Sequence, residues 1–299
     1  MKKLIYFLIL NFIFNNLSGQ NNKKTIIEKQ IENIHMETRI VQDSISKIIS
    51  YYNEKIKSSN DSINTSKLNS KLDDLWSIYD SNLRAEVEND LKFARLNPNS
   101  IEALKLIRSR ITRQEGMNFY DTYESVFQNF SEKIKLSNEG VEMREKLKYF
   151  KQSKKGSIAP EFSYKDMNGV TISLKDYKDK KYILIDFWAS WCSPCRQELP
   201  YIKELYKKYA SKGFEIISIT KDENLENWKR AILKEKIDVW KQISILENNN
   251  SIEKDYFVFG IPHKILIDKN GVIIGKWKGS GGKNQAELEN LLKEKFETE

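Results

Sequence analysis

The stretch Tyr182-Ile183-Leu184-Ile185-Asp186-Phe187-Trp188-Ala189-Ser190-Trp191-Cys192-Ser193-Pro194-Cys195-Arg196 decides how the chain is read. Its first seven residues are an apolar run of strand length, broken only by Asp186, which predicts a buried β-strand. A helical pattern follows from Arg196 to Ala210, with Pro194 close to its start, where proline is tolerated. Cys192 therefore falls at or just before a helix N-terminus. Free backbone N–H groups and the helix dipole favour a thiolate there. A thiolate is the attacking species in disulfide exchange, so Cys192 is the expected nucleophile. Cys195, one turn further on, is placed to attack the resulting mixed disulfide and release the substrate. Pro194 stiffens the turn between them and is expected to bias the reduction potential.

These are the only two cysteines among 299 residues. A bridge between positions so close closes almost no loop, so it restricts the unfolded chain little. A structural zinc site needs four ligands, and His35 and His263 are the only histidines to add. Haem attachment needs a histidine directly after Cys195, where Arg196 stands. The pair is expected to be redox-active, with no metal and no cofactor beyond the Cys192–Cys195 disulfide itself.

Working outward, further strand-like runs cover Phe214 to Thr220, His263 to Asp268 and Val272 to Trp277. Helical patterns at Asn224 to Lys236 and Asn284 to Phe296 alternate with them, which argues for an α/β sheet covered on its faces. Lys269-Asn270-Gly271 is a strong hairpin turn, and Met167-Asn168-Gly169 suggests a smaller hairpin ahead of the main sheet.

Before Gly156 the texture is different. Ile27, Ile31, Ile34, Val41, Ile45, Ile48, Tyr52 and Ile56 form one helical stripe, and a polar patch at Ser58 to Ser66 interrupts it. Leu72, Leu75, Trp76, Tyr79, Leu83, Val87 and Leu91 form a second stripe, which stops before Pro98. Asn99 is a candidate cap for a helix carrying Ile101, Leu104 and Ile107. Shorter helices are expected around Phe119 to Phe130 and Val141 to Phe150. An irregular repeat favours an intramolecular bundle over a coiled-coil seam between two chains.

The N-terminus is different again. Lys2-Lys3, the apolar run Leu4 to Phe14 and the polar, small-residue end at Ser18-Gly19-Gln20 have the layout of a secretory signal, and the run is shorter than a membrane span requires. An uncleaved N-terminal anchor is the alternative; either way the remainder is expected outside the cytoplasm. With no cysteine near the cleavage site, lipidation is not expected. The expected division is 1–20 signal peptide, 21–152 all-α helical domain and 153–299 α/β domain, with the Lys151 to Lys155 stretch at the boundary. The net charge of +8 comes from 50 basic and 42 acidic residues, interspersed rather than striped. Nucleic-acid binding is not expected.

Asp186 to Arg196 resembles the active-site stretch of thioredoxin-like proteins. Three more motifs narrow the likeness to the exported TlpA/ResA-like thiol–disulfide oxidoreductases: Gly156-Ser157-Ile158-Ala159-Pro160-Glu161-Phe162, Arg196-Gln197-Glu198-Leu199-Pro200, and Gly260-Ile261-Pro262-His263 leading into Ile265 to Gly271. The resemblance covers about residues 156–299 and implies a thioredoxin-like fold behind the helical region. It implies that Pro262 is the family's cis-proline and that Ile261 offers backbone groups to an extended substrate. It places Asp186 where thioredoxin has a buried carboxylate that accepts the proton of the second cysteine. A buried Asp holding local backbone is the plainer alternative for Asp186.

Trp188 and Trp191 are expected to flank the site, Trp191 as a substrate contact. Glu198 either tunes the cysteines or is a solvated charge on a helix face. His263 is expected to point away, and Lys221 to be solvated. Thioredoxin's lysine near the buried acid has no counterpart within Phe214 to Thr220. The expected activity is reduction of disulfides in client proteins, with the dithiol regenerated by a membrane thiol-electron donor. Two alternatives remain: a peroxidase of the peroxiredoxin type, suggested by Ala159 to Phe162, and a partner-binding helical protein with an accessory redox domain. Against the first, Ala189 stands where peroxiredoxins place threonine.

Overall fold

The computed structural model describes residues 25–59, 61–113, 115–246 and 252–297. The expected signal segment lies outside them. No helix among the described residues is long and apolar enough to cross a membrane.

Two long antiparallel helices come first among the described residues, α1 (Ile26–Ser58) and α2 (Ser62–Leu96). Thr25 and Glu28 close a reciprocal capping box at the start of α1, and Asp61 accepts from the Ile63 N–H (3.0 Å) at the start of α2. That cap starts α2 inside the patch read as polar spacer, ten residues before the apolar stripe begins. Asn97 and Pro98 end it. The helix α3 (Ile101–Arg110) is capped by Ser100, whose hydroxyl accepts from the Ala103 N–H (3.1 Å), rather than by Asn99. Then come α4 (Tyr120–Asn129), the single-turn α5 (Glu132–Lys135) and α6 (Asn138–Ser153). Apolar faces of α2, α3, α4 and α6 enclose one core around Leu104, Ile107, Tyr123, Phe127, Met143 and Phe150. Stripe residues such as Ile48 and Trp76 remain exposed, while Ile45 and Ile49 are buried.

The helix α6 runs through Lys151 to Ser153, and the chain then enters the α/β region. A small hairpin, β1 (Ser163–Lys165) with β2 (Thr171–Ser173), precedes the main sheet. That sheet contains β3 (Tyr182–Trp188), β4 (Phe214–Thr220), β5 (Lys241–Ser244), β6 (His263–Ile267) and β7 (Ile273–Lys278), in the order β5-β4-β3-β6-β7. β3, β4 and β5 are parallel; β6 runs antiparallel to β3, and β7 to β6. The helices α7 (Ser193–Tyr209), α8 (Leu225–Glu235) and α10 (Gly282–Glu297) cover one face; the small hairpin and α9 (Ile252–Asp255) cover the other. Cover on both faces is why β3, β4 and β6 are buried along their whole length and read as unbroken apolar runs. This is a thioredoxin-like sheet behind an all-helical region.

Candidate active site

Side chains alternate across β3. Ile183, Ile185 and Phe187 enter the core beneath the small hairpin, while Leu184 and Trp188 enter the core beneath α7, together with Cys192 and Cys195. Asp186 has the same parity as Leu184 and Trp188, so it lies on the cysteine side. Register then places Ser218 of β4 on one side of Asp186 and Lys264 of β6 on the other, with Gln242 of β5 beyond Ser218. A row of polar residues, Gln242–Ser218–Asp186–Lys264, thus runs across the strands under the start of α7. All four are buried.

The helix α7 begins at Ser193 with Cys192 as its N-cap. The Cys195 N–H donates to the Cys192 Sγ (3.2 Å), so one sulfur takes up a backbone donor that has no partner within the helix. Cys192 and Cys195 are disulfide-bonded and nearly buried. Asp222, buried just after β4, accepts from the Ser190 backbone N–H (2.8 Å), from the Ser190 hydroxyl and from the Thr220 hydroxyl (2.6 Å). It fixes the approach to Cys192 and leaves Trp191 65% exposed beside it. Trp188 is fully buried in the core below. The Ile261–Pro262 peptide is cis, and the Pro262 carbonyl accepts from the Gly279 N–H (2.8 Å).

Glu198 of α7 is no solvated charge. It is buried and bonded to the Lys264 ammonium, while Asp186 Oδ1 lies 3.8 Å from the same nitrogen. The Ser218 hydroxyl donates to Asp186 Oδ2 at a long 3.4 Å and receives the Trp240 indole N–H (2.9 Å). Burial raises the Asp186 pKa above its ordinary value; Lys264 pulls it down, Glu198 pushes it up, and Ser218 lowers it slightly. Two carboxylates share one ammonium, and Asp186 is the less compensated of the two.

The lysine sought in β4 and not found there stands on β6 instead, opposite Asp186 in the ladder. A lysine inside an otherwise apolar strand, in step with Leu266, was the signal that could have found it. Asp222 carried no such signal. His263 has the opposite parity, with Ile265 and Ile267, and sits at the edge of the Phe187 ring on the far side of the sheet (centroids 6.3 Å apart). Burial, reinforced by Lys276, Lys278, Lys264 and Lys221, holds its pKa far below the usual histidine value. Lys221 is half-buried and paired with Glu253 (2.5 Å). No cluster among the described residues has the ligands for a metal ion.

Residues 156–276 match the AhpC/TSA family. The chain is 39% identical over 148 residues to the thiol-disulfide oxidoreductase ResA of Bacillus cereus, an alignment covering 48% of this chain and 82% of the relative. The chain belongs to the ResA family of thiol-disulfide oxidoreductases. A second relative, the thioredoxin-like protein YneN of Bacillus subtilis, is 40% identical over 119 residues, covering 40% of this chain and 68% of that protein. Among solved structures, the thioredoxin domain of a thiol-disulfide oxidoreductase from Bacteroides vulgatus aligns at 36% identity over 46% of this chain and 96% of that one, with a TM-score of 0.42.

Proposed function

We propose that this ResA-family oxidoreductase works outside the cytoplasm and reduces disulfides of client proteins through Cys192 and Cys195. The observation that carries the reading is Cys192 capping α7 above a buried row in which Asp186 is held short of full compensation. The leader-like pattern of residues 1–20 supports the location.

In the reduced enzyme, the Cys192 thiolate attacks one client sulfur. The client S–S bond breaks, a mixed disulfide forms, and the other client sulfur leaves as a thiolate that takes a proton from water. Cys195 then gives its proton to the Asp186 carboxylate and attacks the Cys192 sulfur. The Cys192–Cys195 bond forms and the second client sulfur leaves, so two electrons pass from the pair to the client. Burial makes Asp186 a stronger base than an exposed carboxylate, as this step requires. Ile261 and Pro262 form the ledge on which an extended client segment lies, and Trp191 contacts it from the other side. A membrane thiol-electron donor returns two electrons to the pair.

Two measurements test the reading. Cys195→Ser should accumulate mixed disulfides with clients on Cys192, separable on non-reducing gels, and Cys192→Ser should trap none. The pair's potential should fall near the roughly −270 mV of thioredoxin; a value near about −120 mV would reverse the direction of electron flow.

A further inference from the structure

Between α9 and β6 the chain sends neighbouring side chains into different parts of the molecule. Tyr256 enters the sheet core, and its hydroxyl donates to the Pro160 carbonyl (2.5 Å). Phe257 turns away from the sheet and is buried in the core of the helical region, its ring stacked on Phe150 of α6 at 4.9 Å. Val258 returns to the sheet core. Phe259 is exposed, edge-on to Phe257 at 4.8 Å, with the Lys146 ammonium of α6 4.5 Å over its ring. Then come Gly260 and the cis Ile261–Pro262 bond.

The backbone at Phe257 has a φ of +52°, a left-handed conformation that residues with a Cβ adopt at a cost. That turn points the ring at α6, and the burial of the ring offsets it. Other bonds brace the same segment. The Gln152 amide donates to the Asp255 carbonyl (3.1 Å), and the Lys276 ammonium donates to the Ser153 and Tyr256 carbonyls (3.2 and 2.7 Å). Lys278, packed against Gly260, donates to the Thr112 carbonyl just after α3 (2.8 Å).

We propose that the helical region is a positioning element of the redox site, and that Phe257, seated against Phe150, fixes the Ile261–Pro262 ledge for an extended client segment. The inference rests on the ledge reading given above. A segment that docks by backbone hydrogen bonds gains most when its partner strand is already held still, since ordering a loose partner weakens binding. A small disulfide offers no such segment and does not need the ledge. Phe257 is thus a specificity element that acts on polypeptide substrates alone.

The test is Phe257→Ala in the full chain, assayed on insulin and on bis(2-hydroxyethyl) disulfide, which has no peptide groups, with thermal unfolding and the Cys192–Cys195 potential measured alongside. The expected result is a KM for insulin raised about tenfold at unchanged kcat, with bis(2-hydroxyethyl) disulfide turnover and the potential unchanged. Phe150→Leu alters the other side of the contact and should raise the insulin KM in the same sense, which keeps the test open should Phe257→Ala not fold. An unchanged insulin KM in either folded variant, or equal slowing on both substrates, overturns the proposal. A wild-type protein that does not reduce insulin would sink the ledge reading itself, before any variant is made.

Discussion

Each half of the molecule buries a small cluster of charges, and the two are balanced differently. In the helical region Arg110 reaches two carboxylates at once: its Nε donates to Asp90 Oδ2 (2.6 Å) and its Nη2 to Glu86, while His35 bonds the other Asp90 oxygen. Burial pushes the Glu86 pKa up, but Arg110, Gln42 and His35 pull harder, and the net value lies below the ordinary one. In the sheet half Lys264 is also shared by two acids, yet it bonds Glu198 and stands off Asp186, whose pKa ends above the ordinary one. A planar guanidinium has donors enough for two carboxylates, whereas an ammonium acts as a point charge. The first cluster is a brace. The second leaves one carboxylate, Asp186, only partly compensated beneath a pair of cysteines.

The largest effect should come from breaking the brace. Arg110→Ala leaves Glu86 and Asp90 buried without their cation and should cost about 4 kcal/mol in urea unfolding, with glutathione disulfide turnover per folded molecule unchanged. A loss under about 1 kcal/mol would mean that the Arg110 cluster is no brace.

Next in size, Asp186→Asn should slow closure of the Cys192–Cys195 bond from a mixed disulfide about a hundredfold, followed by rapid acid quench, while the first attack keeps its rate. Closure at the wild-type rate would make Asp186 a second brace.

The smallest effect is one of sign. The folded state holds the Asp186 proton more tightly than the unfolded chain does. The stability this contributes is present below about pH 4 and is lost as pH rises through the raised folded pKa. Glu86 behaves oppositely: its contribution is present above about pH 4 and is lost as pH falls through its depressed folded value. Urea midpoints from pH 3 to 8, a range set by these carboxylates, should therefore show wild type losing ground to Asp186→Asn at the neutral end, and Glu86→Gln losing less than wild type at the acid end. Slopes of the same sign would contradict the contrast.

Much of the sheet half was legible because its elements are short and sharply punctuated. The apolar runs at β3, β4 and β6 announce strands with both faces covered, and Asn270-Gly271 announces the turn into β7. β5 was missed: Lys241-Gln242-Ile243-Ser244 is short and mixed, and it is a strand because β4 pairs with it. The start of α2 was missed because its cap at Asp61 lies in a stretch with little apolar signal. In the candidate site, local motifs named both cysteines, Asp186, Trp191, Ile261 and Pro262. Glu198 was named with two readings left open, and choosing between them, like finding Lys264 and Asp222, required knowing which elements are neighbours; Lys264 comes from an antiparallel strand far along the chain. The helical brace was hidden for the same reason, since His35 and Arg110 lie 75 residues apart.

The polar row beneath α7 also sets an order of events during synthesis. Every member of the helical brace, from His35 to Arg110, precedes Cys192 in the chain, so that brace can close before either sulfur exists. Asp186 and both cysteines are then made well before Lys264. Until β6 docks beside β3, Asp186 and Glu198 lack their shared cation and the Ile261–Pro262 segment is not yet in place. An emerging chain therefore carries two thiols but not yet an active site, and its chemistry matures only when the last hairpin is laid down.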